Sequence, residues 1–130
     1  MTDLTVPSSE SIDESAGPGA YGLTPGTTTI SPDVIITIIR LTTLGIDGVS
    51  RLTPLPRSAH RRLFRRDSQG VAMEVRNDAV YADIYIAVRP NLNLRDLSRN
   101  VQRSINRAIE EMVGMQVGRI NVHIEDIDFA

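Results

Sequence analysis

The stretch Val71-Ala72-Met73-Glu74-Val75-Arg76-Asn77-Asp78-Ala79-Val80-Tyr81-Ala82-Asp83-Ile84-Tyr85-Ile86-Ala87-Val88 contains two runs of period-two alternation. Val71, Met73 and Val75 oppose Ala72, Glu74 and Arg76; then Val80, Ala82, Ile84, Ile86 and Val88 oppose Tyr81, Asp83, Tyr85 and Arg89. A strand turns successive side chains to opposite faces, so each run predicts a strand with one apolar face. Asn77-Asp78 between them is turn chemistry, and the pair reads as an antiparallel hairpin.

Upstream of the hairpin, Thr27-Thr28-Thr29-Ile30 is a β-branched run suited to a short strand. Ser31-Pro32-Asp33 has the form of an N-cap, an N1 proline and an early acid, which predicts a helix from Pro32 to about Leu44. Gly45 is placed to end it in the left-handed conformation. At 100° per residue Val34, Ile35, Ile38, Ile39 and Leu41 share one arc, whereas Ile36 and Leu44 fall outside it. One-sided packing would leave those two exposed, and they form a candidate self-association surface that predicts a homo-oligomer. Gly48 to Leu52 reads as a strand that Pro54 and Pro56 stop.

Downstream, Pro90 to Asn93 ends the hairpin. Leu94, Leu97, Val101, Ile105, Ala108, Ile109 and Met112 then mark one face of a long helix closed by Gly114. A last strand from Arg119 to Phe129 alternates Ile120, Val122, Ile124 and then Ile127 with Asn121, His123 and Glu125. The expected order is β-α-β-β-β-α-β. It predicts an α+β, two-layer domain, with an antiparallel or mixed sheet carrying two helices on one face, over residues 27–130. Residues 1–26 mix serine, glycine and proline with Asp3, Glu10, Asp13 and Glu14, without a base, and read as a disordered acidic tail.

Composition narrows the chemistry. There is no cysteine, which removes disulfides, thiolate metal sites and cysteine nucleophiles and points to an intracellular chain. No apolar run approaches the roughly 18–20 residues that span a bilayer. His60 and His123 are far apart in sequence and read as ordinary exposed histidines. Glu125, Asp126 and Asp128 could gather a hard cation, but alternation sends Asp126 to the other face from Glu125. The serines lack a nucleophile-elbow context. Gly45-Ile46-Asp47-Gly48 has the GxxG form of an RNA-clamping loop but leads into a strand, so it reads as a cap and turn. No catalytic, cofactor-binding or metal residues are assigned.

Two basic features remain. Residues 57–66 hold five arginines, Arg57, Arg61, Arg62, Arg65 and Arg66, and the second helix carries Arg95, Arg99, Arg103 and Arg107 at intervals of four. Together they are a candidate surface for an anionic partner: nucleic-acid phosphate, acidic lipid in peripheral contact, or an acidic protein segment. The function classes left open are an interaction scaffold and, alternatively, a nucleic-acid-binding module that uses the arginine-rich loop and the helix stripe.

The domain resembles the alkaline shock protein family, the Gram-positive envelope stress response proteins. The resemblance runs through Ile30-Ser31-Pro32-Asp33-Val34, Gly48-Val49, Gly70-Val71 and Val80-Tyr81-Ala82-Asp83-Ile84-Tyr85-Ile86. It continues through Asn100-Val101-Gln102, Met112-Val113-Gly114, Val117 and Ile120-Asn121-Val122-His123-Ile124. It implies a non-enzymatic, cytoplasmic protein tied to envelope stress, peripheral at the inner face of the cell membrane and attached to a membrane-anchored partner. The family often has a short glycine-containing loop where this chain has Arg57 to Arg66.

Overall fold

The computed structural model describes residues 26–56, 66–68 and 70–129. The acidic tail before Gly26 lies outside the described residues. Helix α1 spans Pro32–Leu44 and is followed by β1 (Val49–Leu52), β2 (Arg66–Ser68), β3 (Val71–Arg76) and β4 (Ala79–Val88). Helix α2 (Leu94–Ala108) runs into a π-helical turn, Ile109–Val113, and β5 (Gln116–Ile127) closes the chain. The fold is the expected α+β class, two helices against a mixed sheet.

The hairpin is the centre of the sheet. Asn77 and Asp78 both take positive φ, 51° and 61°, the geometry of the two-residue turn whose twist matches that of flanking strands. It sets Arg76 opposite Ala79 and Val71 opposite Ile84. β4 is longer than β3, and its far end, Ile86 to Val88, pairs antiparallel with β1. β2 extends the sheet beyond β3. The whole other side of β4 is taken by β5, running parallel from Ala79↔Gln116 to Val88↔Ile127. A parallel pair needs a crossover, and α2 supplies it.

The core fills the space between the helices and one sheet face. Ile35, Ile36 and Ile39 of α1 and Leu97, Val101 and Ile105 of α2 meet Val71, Met73, Val80, Ile84, Ile86 and Val88. Both helix starts are capped by side chains: Ser31 Oγ accepts from the Asp33 amide at 3.2 Å, and Asn93 Oδ1 from the Asp96 amide at 3.0 Å. Each cap satisfies one amide that the first helical turn would otherwise leave unpaired.

Several local expectations differ from the structure. Thr27–Ile30 is irregular backbone leading into α1, and Arg66–Ser68 supplies a short strand the alternation did not mark. Gly45 is right-handed at φ −81° and its amide reaches Leu41 and Thr42 carbonyls; the positive-φ glycine of this turn is Gly48, at 101°. Ile36 is not exposed. It is 3 % accessible, because α1 turns the arc of Ile35, Ile36, Ile39 and Thr43 to the sheet. Met112 is 68 % accessible, since within the π turn Val113 packs on the core instead.

Candidate interaction surfaces

The inward arc of α1 decides what it leaves outside. Val34, Leu41 and Leu44 are 49 %, 66 % and 43 % accessible, and on a helix Val34 and Leu41, seven residues apart, lie on one stripe. Of the two residues expected to form a self-association surface, Leu44 is exposed and Ile36 belongs to the core. Val34 and Leu41, assigned from the sequence to the buried arc, take the exposed place instead.

The α2 arginines stand on the helix face opposite Leu97, Val101 and Ile105, and Arg95, Arg99, Arg103 and Arg107 are all exposed. Arg99 lies 3.8 Å from Asp96 and Arg107 lies 3.1 Å from Glu111. Such surface pairs add little to stability. Among the described residues no ion pair engages Arg95 or Arg103. Arg95 and Arg99 line a shallow groove of about 390 Å³ with Leu94, Ser98 and Gln102, and its opposite wall is Val122 and Ile124 of β5. Gln102 Nε2 donates to the Ile120 carbonyl at 3.1 Å at one end of it. Arg66 opens β2; Arg57, Arg61, Arg62, Arg65 and His60 lie outside the described residues.

The sheet face away from the helices holds a polar and aromatic cluster that the sequence did not reveal. In-register pairing of β4 and β5 puts Asp83 beside Asn121 and Tyr85 beside His123. Asp83 Oδ1 accepts from Asn121 Nδ2 at 2.9 Å and contacts His123 Nε2 at 3.1 Å. The imidazole stacks on Tyr85 with centroids 4.5 Å apart and planes 13° from parallel. His123 is therefore a half-buried, engaged residue rather than an ordinary exposed one. The alternation already put Tyr81, Asp83 and Tyr85 on one face; the missing signal was the parallel partner.

At the N-terminal end of that ladder a bulge at Gly118, between Val80↔Val117 and Tyr81↔Arg119, brings Tyr81 over the glycine. A Cβ there would overlap the Tyr81 ring. The ring also carries the Arg76 guanidinium 4.2 Å from its centroid, a cation–π contact.

A second bulge, between Ile124 and Asp126, changes what the C-terminal acids do. Asp126 and Asp128 both reach Arg51 on β1, through Nη2 to Asp126 Oδ2 at 3.1 Å and Nε to Asp128 Oδ2 at 3.0 Å. Ser50 Oγ donates to Asp128 Oδ2 at 2.6 Å. The hydrogen bonds from Ser50 and then Arg51 hold the Asp128 carboxyl below its usual value, and Asp128 in turn raises Arg51. These acids therefore clamp the end of β5 across β4 to β1. Among the described residues no group of three or more acids or histidines is placed to hold a metal ion, and no helix is long and apolar enough to cross a membrane.

The model of the alkaline shock protein 23 family, described as having a cell envelope-related function, matches residues 23–129. An uncharacterized Streptococcus pyogenes protein, Spy1535, is 28 % identical over 105 residues, 78 % of this chain and 79 % of its own. The uncharacterized Bacillus subtilis protein YqhY is 24 % identical over 106 residues, 80 % of this chain and 78 % of its own. Two solved MamM-CTD structures align with TM-scores of 0.47 at 10 % and 11 % identity. They cover 74 % of this chain and 99 % and 98 % of theirs.

Proposed function

This chain belongs to the alkaline shock protein family, and from that premise we propose that it is a non-enzymatic interaction module of the cell envelope stress response, which self-associates and docks to a membrane-associated partner from the cytoplasmic side. The observation that carries the reading is the apolar stripe of α1. Val34 and Leu41 stand in solvent at about half accessibility or more although the same helix has a complete inward arc of its own. Apolar surface left outside a satisfied core favours being covered by another protein, at roughly 25 cal/mol per Å² removed from water. The family's envelope-related description supplies the place.

The test uses the purified full chain and membrane vesicles from the source cells, with and without protease pretreatment, in a sedimentation assay. Co-sedimentation that pretreatment abolishes, and that Leu41→Glu reduces at least tenfold, is the expected result. Equal sedimentation with protein-free vesicles of acidic lipid would replace the protein partner with lipid. Binding to duplex DNA or RNA with a steep salt dependence, near −0.9 per neutralised phosphate, and no membrane sedimentation would overturn the reading in favour of the arginine surface.

A further inference from the structure

Among the described residues β5 has a partner strand on only one side. β4 pairs with it from Gln116 to Ile127, and among the described residues no strand pairs with its other edge. Edge strands are commonly blunted by proline, by charged side chains, lysine above all, by bulges or by a covering segment. Residues 116–127 contain neither proline nor lysine; their charges are Arg119, Glu125 and Asp126, and the bulges at Gly118 and Glu125 leave Arg119 to Ile124 as the regular stretch of the edge. Along the helix side of the edge, Val122 and Ile124 are only half-buried and form one wall of the open groove beside α2.

The occupant is written into the strand itself. Two antiparallel copies related by a two-fold axis through Val122 would pair residues whose numbers sum to 244. Ile120 then faces Ile124, Val122 faces Val122, Asn121 faces His123, Val117 faces Ile127 and Arg119 faces Glu125. Every apolar position meets an apolar one, and Arg119 of each copy meets Glu125 of the other. Neighbouring registers lose this. Centring on Asn121 opposes Arg119 to His123, and centring on His123 opposes Ile120 to Asp126. Registers centred between residues would oppose a helix-side residue to an outer-face residue, which the pleat forbids when both copies keep their helices on one side. The Gln102 contact on the Ile120 carbonyl leaves that oxygen a second lone pair for a partner's amide.

We infer that the free edge of β5 is the self-association surface, forming a two-fold dimer with one continuous ten-stranded sheet centred on Val122. The inference rests on the self-association part of the function proposed above and names where it happens. The two antiparallel Val122 residues would have Cα atoms about 4.5–5.5 Å apart, within the roughly 4.4–6.8 Å that a disulfide spans. The native chain has no cysteine to confuse the result.

The experiment is sedimentation equilibrium of the full chain together with oxidative cross-linking. Wild type is expected to be dimeric. Arg119→Glu and, separately, Glu125→Arg should each raise the dimer Kd at least tenfold, and the double exchange should restore it. Val122→Cys should oxidise to a covalent dimer, and Leu41→Cys should not. Unchanged Kd in both charge variants, or a Val122→Cys chain that stays uncross-linked while dimeric, would overturn the edge. If Leu41→Glu alone then dissociates the dimer, the edge is wrong and self-association stands. A wild type that is monomeric at every concentration removes both. The Arg119 guanidinium also lies 5.7 Å from the Tyr81 ring centroid, and Glu125→Arg keeps the test readable should Arg119→Glu disturb that contact.

Discussion

At Gly70 the backbone has φ 80°, and a Cβ placed there would meet Leu52 Cβ at 2.6 Å. Gly70 also accepts the Tyr85 amide through its carbonyl at 2.8 Å, so the loop is held against the centre of β4. A side chain at this position faces two costs, about 1–2 kcal/mol for the left-handed backbone and about 1–3 kcal/mol for overpacking against a buried neighbour. Gly70→Ala should lower unfolding free energy by about 2–5 kcal/mol, the sum of those two terms, measured by urea denaturation. Asp128 is tested by pH. Its folded-state pKa is depressed by Ser50 and Arg51, so its stabilisation is complete above the ordinary carboxylate pKa of about 4 and declines as pH falls through the lower folded value. Stability of the wild type should fall with acid more steeply than that of Asp128→Asn in the window below about pH 4, and equal slopes would discount the clamp. Neither feature was legible beforehand. Gly70 was readable as part of a motif without its cause, and Asp128 meets Ser50 only because a bulge and the end of a parallel ladder bring residues 78 positions apart together.

Among the elements, α2 and its π turn separate what periodicity predicts from what packing selects. Leu97, Val101 and Ile105 fall every four residues and are buried, as the apolar stripe requires. Met112 carries the same hydrophobic signal and is exposed. A π turn spaces its hydrogen bonds to i+5 and so rotates the residues after it relative to an α-helix, and here Val113 takes the inward place. Truncation should therefore discriminate between them. Ile105→Ala is expected to cost about 2–5 kcal/mol, the range for a buried large-to-small change, whereas Met112→Ala should stay within about 0.5 kcal/mol, as for a surface site. Thermal unfolding of the two variants checks both values. The hairpin behaved differently, since alternation and a two-residue turn constrain a pair of adjacent strands without help from the rest of the chain. The α1 arc was harder, because a helix apolar on several sides leaves its orientation to whatever it packs against.

For the molecule as a whole, a sheet with one long edge that no described strand pairs and a helix with an exposed apolar stripe is a form suited to association. Binding that favours the folded state raises its apparent stability with the concentration of the partner copy. The melting temperature of wild type should therefore climb as protein concentration is raised a hundredfold, and the rise should be absent in Glu125→Arg, as read by calorimetry at matched ionic strength. A concentration-independent melting temperature in both would argue against coupling between folding and assembly. Arg95 and Arg99 of α2 line the groove beside the same edge, so salt belongs among the controlled variables.

The sequence by itself determined the α+β class, the hairpin, both helix starts and the absence of cysteine chemistry, because each depends on residues within a few positions of one another. Ser31 caps the helix it precedes, and Asn77-Asp78 turns the strands it joins. The tertiary structure alone decided that β5 lies parallel against β4, that Ile36 faces inward while Leu41 faces out, and that His123 meets Asp83 and Tyr85. Those outcomes depend on which faces meet across the crossover of α2. Local pattern states that a face is apolar or polar; only the assembled sheet and helices determine which neighbour it touches and which edge is left open.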